Sequence, residues 1–337
     1  MGTKIGIPRS LFYYKFIPLW ETFFTELGMD IVVSDPTSKR ILDGGVKACV
    51  DEACLPVKLF HGHVLNLAHR ADYIFIPRFT SISKREYVCP EFGGLPDMVR
   101  HTLKGLPPLI DTEVNLRNSV NGLIKAATET AALLGRGSHS AKRALKLALE
   151  NYRDFKYQAQ CGTLPFVPAA EIGGGNSSSR AAVTGVAPAR LKVAVIGHPY
   201  NIYDKYISMD LLGKLKRYGV EAITIEMADD TEIDRIASTL PKPMFWNYGR
   251  KAYGAALCLA DSGKAEGIIF INSFGCGIDS FVIELTERRL RRGSDIPLIT
   301  ITLDEHSGEA GFNTRLEAFI DMLRWRRANE NHISASG

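Results

Sequence analysis

The sequence predicts an α/β protein made of two copies of one parallel-sheet unit joined by a helical connector. Three observations carry this reading. Apolar strand runs alternate with helical patterns, the order that builds doubly wound parallel sheets. The stretches KIGIPRSLFYYKFIPLWETFFTELGMDIVVSD (Lys4–Asp35) and KVAVIGHPYNIYDKYISMDLLGKLKRYGVEAITIE (Lys192–Glu226) repeat one plan: strand, aromatic turn with proline, amphipathic helix, glycine, strand. The length of 337 residues is too great for one typical domain and comfortable for two.

In the first unit, Lys4–Ile7 reads as a strand, followed by a turn containing Pro8. A helix with apolar spacing then runs to Leu27, with Pro18 placed in its first turn, where a missing N–H costs little. Gly28 suits its C-terminal cap, and Ile31–Val33 is the next strand. The apolar runs Ala71–Phe79 and Leu106–Val114 supply two more strands. In the second unit Lys192–Ile196 is a strand, Pro199 marks the turn, and a helix extends to about Arg217. Gly219 ends it, Ala222–Ile225 follows, and Ala265–Phe274 and Ile296–Glu305 match the later strands of the first unit. A helical stretch, roughly Asn115 to Gln158, lies between the units, and GGGNSSSR (Gly173–Arg180) has the composition of a flexible linker. Arg315–Arg327 reads as a final amphipathic helix, with the ISASG tail expected to fray. The expected division is a first α/β domain at 1–114, a helical connector at 115–160, a linker at 161–190 and a second α/β domain with a C-terminal helix at 191–337.

Composition is that of a globular chain, 45% hydrophobic and 23% charged, with a net charge of +4. That mild excess is no basic stripe, so nucleic acid is not expected as a partner. The densest basic run, Arg288, Arg289, Arg291 and Arg292, reads as a solvated helix end or a docking site for an acidic partner or phosphate. No apolar run approaches the roughly 20 residues needed to span a bilayer. The opening MGTKIGIPR has no signal-peptide core. The expectation is a cytoplasmic protein with reduced thiols, in which six cysteines serve metal binding, catalysis or plain burial before disulfides.

In open α/β sheets ligands bind beyond the carboxyl ends of the strands. Three cysteines fall on such loops. Cys89 lies in SKREYVCPEFGGLPD, after the third strand of the first unit. Cys276 lies in SFGCGIDSF, after the matching strand of the second. Cys54, in CVDEACLPVK, stands just before Pro56 and so at a helix start, where a thiol pKa is expected to fall. Glycines flank Cys276, and proline follows Cys89 as it does in iron–sulfur ligand runs. Soft thiolates select zinc, copper or iron–sulfur clusters. Zinc is less favoured, because the chain has no CxxC pair. Three small buried hydrophobes, or a nucleophile at Cys54, are the alternatives. Cys49 is either a further ligand or packed within Ile41–Val50, Cys258 reads as core, and Cys161 has no supporting context.

Other polar groups gather on the same edge. GHPYNIYD (Gly197–Asp204) is either a turn capped by Asp204 or a polar wall containing His198 and Tyr200. LDEHSGEAGFNTR (Leu303–Arg315) brings Asp304, Glu305, His306 and Glu309, suited to proton transfer or to a solvated cap. His61 and His63 are two apart on a helix and do not share a face. Neither GxGxxG nor a P-loop is present, so these turns are not expected to bind nucleotides.

DEACLPVKLFHGHVLNLA, YIFIPRF, CPEFGGLPD, GHPYNIYDKYI, SFGCGIDSF and LDEHSGEAGFNTRLEAF together resemble the acyl-CoA dehydratase activase-related proteins. These belong to the 2-hydroxyacyl-CoA dehydratase and benzoyl-CoA reductase superfamily. The resemblance covers both α/β units, roughly Lys4 to Trp325. It implies duplicated flavodoxin-like (Rossmann-like) domains gripping an oxygen-sensitive [4Fe-4S] cluster held by three cysteines, with one iron open for reductive or radical dehydration chemistry. Carried over motif by motif, the ligands are Cys54, Cys89 and Cys276. A separate ATP-hydrolysing iron–sulfur activase is the implied electron donor, and a homodimer or a related subunit the implied assembly. A double-cubane [8Fe-9S] reductase is the alternative that would draw in Cys49, and a non-catalytic electron-transfer module is another. Lys58, one turn after Cys54, is either a solvated lysine or a charge that offsets the cluster or polarises a substrate carbonyl. With His198, Tyr200 and Glu305 it completes the expected catalytic set.

Overall fold

The computed structural model describes residues 2–163 and 190–334, so the GGGNSSSR segment lies outside the described residues. The first unit runs β1 (Lys4–Ile7), α1 (Tyr13–Glu26), β2 (Asp30–Val33), α2 (Lys39–Ala48), α3 (Leu55–Leu67), β3 (Tyr73–Phe75), β4 (Arg78–Ser81), α4 (Pro90–Thr102), β5 (Leu109–Ile110) and β6 (Glu113–Asn115). Then come α5 (Asn121–Leu133) and α6 (Ser138–Gln160), the latter packed along α1. The second unit runs β7 (Leu191–Ile196), α7 (Pro199–Ile202), α8 (Leu211–Arg217), β8 (Val220–Thr224), α9 (Asp230–Ala237), α10 (Asn247–Asp261), β9 (Gly267–Ser273), α11 (Gly277–Gly293), β10 (Leu298–Leu303) and α12 (Glu309–Ser334).

Both main sheets are parallel, and their strand orders correspond: β2-β1-β3-β5 in one and β8-β7-β9-β10 in the other. This is the duplicated parallel-sheet arrangement that the repeat predicts, with the flavodoxin-like order that the resemblance implies. The central strands are buried on both faces, which is why they read as unbroken apolar runs. Along β7, Val193 and Val195 enter one core while Ala194 and Ile196 enter the other. On β9, Ile269 and Ile271 oppose Ile268 and Phe270 in the same way.

The two copies differ in detail. Ala71–Phe79 is not one strand but breaks into β3 and β4 around Pro77, which has no N–H for the ladder. Leu106–Val114 likewise divides, and the second halves, β4 and β6, pair as a separate parallel ribbon. β9 and β10 stay whole. In the second unit the expected single helix is interrupted between α7 and α8, where Met209 and Asp210 take positive φ of 50° and 54°. Pro18 lies inside α1, not in its first turn, because the helix already starts at Tyr13. Six aromatic and aliphatic side chains of α1 are buried, and that burial outweighs the lost hydrogen bond. The C-terminal helix extends through Ser334, so Ile333 and Ser334 of the expected frayed tail are helical, and 335–337 lie outside the described residues.

One close helix contact fixes the element that carries Cys54. A Cβ on Gly45 of α2 would lie 2.0 Å from the Lys58 carbonyl oxygen of α3, and one on Gly62 would lie 2.0 Å from the Ile41 carbonyl oxygen. The two backbones therefore touch, which only glycine permits. Among the described residues, no helix is long and apolar enough to cross a membrane.

Candidate functional site

Each of the three loop cysteines is the residue immediately before a helix. Cys54 precedes α3, Cys89 precedes α4 and Cys276 precedes α11. Pro56 and Pro90 sit in the first turns of their helices, where no N–H is needed. A helix start leaves backbone N–H groups unpaired and carries partial positive charge, which suits a thiolate or an anionic group. Here three such starts, two from the first unit and one from the second, open on one cavity of about 390 Å³ walled by all three cysteines.

Two seams between the units frame this cavity. On one side the Leu55 N–H donates to the Phe274 carbonyl (3.4 Å), and a Cβ on Gly275 would lie 3.1 Å from Cys54 Cα. Gly275 has φ +83°, a left-handed conformation open to glycine, so it lets the Cys54 and Cys276 loops abut. On the other side the Tyr87 N–H donates to the Phe245 carbonyl (2.7 Å), and the Asn247 N–H to the Tyr87 carbonyl (2.9 Å).

The thiols have acid neighbours. Cys54 Sγ donates to Glu91 Oε2 (3.1 Å), and Cys276 Sγ accepts from the Asp279 N–H (3.4 Å). Burial and then Glu91 hold the Cys54 thiol far above its ordinary value. Burial and then Asp279 do the same for Cys276, and burial pushes Cys89 up to about 11. For Cys54 this reverses the lowering expected from the helix start alone. Without a bound cation the three are neutral thiols, which argues against Cys54 as a free thiolate nucleophile. The groups lie within electrostatic reach of one another, Cys54 of Cys276, Cys276 of Cys89, and the Tyr200 phenol of all three.

His198 and Tyr200 both line the cavity. The His198 ring is stacked between Tyr200 (centroids 4.6 Å apart) and Tyr248 (3.7 Å), with its Nε2 3.2 Å from Asp279 Oδ1. Asp279 Oδ2 is buried with no hydrogen-bond partner among the described residues. Burial, then Asp279 and the thiols, hold the Tyr200 hydroxyl well above the usual phenol range, so it stays protonated.

Lys58 and Glu305 come together, but behind the cavity and not in its wall. Lys58 Nζ is 2.7 Å from Glu305 Oε1, and Lys58 is buried. Asp304 caps its own turn through the His306 N–H (2.6 Å), and Glu309 pairs with Lys214 (2.8 Å). Cys49 caps the C-terminal end of α2, where helix carbonyls disfavour a thiolate, and it is not part of the cavity wall. Cys258 is buried in α10 and Cys161 is exposed at the end of α6. His61 and His63 are both buried in α3, His63 held by Ser34 (2.8 Å) and Thr37 (3.1 Å). Asp204 is a cap: its Oδ1 accepts from Tyr206 N–H (3.0 Å) and Ile207 N–H (3.2 Å). The arginine run ends α11, with Arg288 and Arg291 paired to Glu284 and Glu287 one turn before them.

Sequence reasoning missed Glu91, Asp279, Tyr248 and Lys15. Glu91 and Asp279 had a signal available, since each sits two or three residues past a singled-out cysteine in a first helical turn. Tyr248 and Lys15 had none, because the pairing of the two units brings them to the wall. Among the described residues, no three His, Cys, Asp or Glu side chains gather closely enough to hold a metal ion.

Comparison with known proteins gives two family matches. Residues 4–228 match the CoA enzyme activase uncharacterised domain, and residues 184–323 match the 2-hydroxyglutaryl-CoA dehydratase, D-component. No curated protein matches the chain. Among solved structures, a LacI family transcriptional regulator from Arthrobacter sp. FB24, in complex with lactose, is 14% identical over 95% of this chain and 89% of that chain. The TM-score is 0.18, too low to carry any argument.

Proposed function

The chain belongs to the family of the CoA enzyme activase uncharacterised domain, within the 2-hydroxyacyl-CoA dehydratase superfamily, and from that premise we propose that it is a dehydratase-type iron–sulfur protein. In this reading Cys54, Cys89 and Cys276 hold a [4Fe-4S] cluster between the two units. One observation carries it: three thiols, each at a helix start and drawn from both units, line the same cavity. The donor set fits. Sulfur ligands suit iron–sulfur clusters, and three helix starts favour the negative charge that such a group adds. When bound, the cluster supplies low-potential one-electron chemistry.

The chain's own residues have separable tasks. The three thiols lose their protons on binding, so uptake releases acid. His198, fixed by Asp279 and by the rings on either face, is oriented to move a proton at the cavity wall. Tyr200, held as a neutral phenol, offers a hydrogen-bond donor beside the thiols. The largely apolar wall excludes water from a bound substrate. An ATP-hydrolysing activase is the proposed electron donor, a partner suggested by the pairing of activase-type and dehydratase-component matches in one chain. The open cavity beside the thiols favours an enzyme over a bare electron-transfer module. The placement of Cys49 at a helix end away from the cavity favours three ligands over a larger cluster.

The test is anaerobic reconstitution followed by iron and sulfide analysis. Cys54→Ala, Cys89→Ala and Cys276→Ala are each expected to lose most of the iron. Cys49→Ala and Cys258→Ala are expected to keep it. Equal iron in all five variants would sink the ligand assignment.

A further inference from the structure

Among the described residues walling the cavity, Lys15 of α1 is the one lysine or arginine. Lys15, Pro199 and Tyr248 also wall a smaller cavity of about 90 Å³, so these three form the partition between the two spaces. The Lys15 ammonium makes no hydrogen bond or ion pair with a described residue, and it faces the Phe16 ring, 5.4 Å from its centroid. Nearby carboxylates are already engaged. Asp230 of α9 is held by Lys251 of α10 (3.0 Å) and Lys156 of α6 (3.5 Å), and Glu226 accepts from the Tyr203 hydroxyl (2.9 Å). The phenols around the smaller cavity, Tyr14, Tyr152, Tyr203 and Tyr248, are all held above their ordinary range by burial and stay neutral.

The charges that weigh on Lys15 are therefore Lys251, Glu226, Lys156 and Asp230, and none comes from the thiol loops. Those that weigh on Tyr200 are Asp279 and the three cysteines. The larger cavity thus carries one cationic side chain, Lys15, and three thiols in an otherwise largely apolar wall. An ammonium without its own counter-anion is costly in such surroundings, and an anionic ligand would offset that cost. Pockets of this size take small molecules whose body meets apolar wall and whose orientation is set by a few polar groups.

We propose that Lys15 anchors the carboxylate of a compact organic acid with an apolar or aromatic body, bound with its other end toward the three thiols. The proposal rests on the reading of this cavity as a substrate site but not on what the thiols hold. Burial and then Lys251 lower the Lys15 pKa to about 8, so the anchor is charged at neutral pH and is lost as the pH rises through that value.

The experiment is titration calorimetry of the anaerobically purified full chain with benzoate, and with benzamide as its neutral counterpart. Benzoate is expected to saturate one site at pH 7, to bind at least about tenfold more tightly than benzamide, and to weaken between about pH 7 and pH 9. Lys15→Met should weaken benzoate by about tenfold or more, and Lys15→Arg should keep most of the affinity. Circular dichroism and melting curves show whether each variant is folded, and Lys15→Arg decides the matter if Lys15→Met is not. Equal binding of benzoate and benzamide, unchanged affinity in Lys15→Met, or no saturable binding would overturn the proposal. Iron analysis separates it from the cluster reading. Protein that stays iron-free after anaerobic reconstitution but still shows Lys15-dependent benzoate binding upholds the anchor and sinks the cluster, whereas iron-loaded protein indifferent to Lys15 does the reverse.

Discussion

At the residue scale, a backbone conformation matters as much as any thiol. Gly275 combines a positive φ of 83° with a contact that would put a Cβ 3.1 Å from Cys54 Cα. Gly275→Ala must pay the left-handed penalty of roughly 1–2 kcal/mol and push the two cysteine loops apart. Denaturant titration should show a loss of about that size, with iron uptake falling alongside. Unchanged stability and iron content would contradict the account of how the loops meet. The cysteines themselves were legible, because strand ends, Pro56, Pro90 and the glycines around Cys276 are all sequence features. The direction of their titration was not. The helix start alone argues for a lowered Cys54 pKa, but burial and Glu91 reverse it, and both depend on what folds over the thiol. Lys58 shows the same limit: its place one turn after Cys54 is readable, but its burial against Glu305 is not.

At the element scale, α3 carries Cys54 at its start and Lys58 one turn on, so its seat against α2 sets both. That seat depends on Gly45 and Gly62, whose Cβ positions are filled by carbonyl oxygens of the facing helix. Gly62→Ala must part the helices, at a cost of about 3 kcal/mol where neither backbone can yield. A melting curve checks this, and an alanine variant as stable as the parent would count against the close contact. The strand–helix order and the repeat were legible from apolar runs and Gly and Pro punctuation. The divided strands β3/β4 and β5/β6 were not, because continuous apolar sequence does not reveal where a second ribbon takes over the ladder. Pro77 was the available sign of that break. Pro18 misled in the opposite sense, since the buried aromatic face of α1 carries the helix through it.

At the scale of the whole molecule, the site exists only where the two units meet. Besides the two seams, Lys58 of the first unit pairs with Glu305 of the second, and Thr37 of the first donates to Asp204 of the second. Lys58→Met leaves Glu305 without its partner in a largely buried position and should cost about 3 kcal/mol, partly restored by adding Glu305→Gln. Thermal melting of the single and double variants checks this; an unaffected Lys58→Met protein would show that the pair does not hold the units. The hydrogen bond from Lys58 lowers the Glu305 pKa below the ordinary glutamate range. The pair's contribution is therefore full at neutral pH and fades as the pH falls through that lowered value, so wild type and Lys58→Met should converge in stability in acid. None of these cross-unit pairings was legible, because repeat and loop position give each half separately and not their docking.

The most direct test of the central claim is the iron and sulfide content and Mössbauer spectrum of anaerobically purified protein. A [4Fe-4S] cluster with one iron distinguishable from the other three is expected, and it should be abolished in Cys54→Ala, Cys89→Ala and Cys276→Ala. A chain that takes up no iron under reducing, anaerobic reconstitution, or one whose cluster survives loss of any of these cysteines, would contradict it.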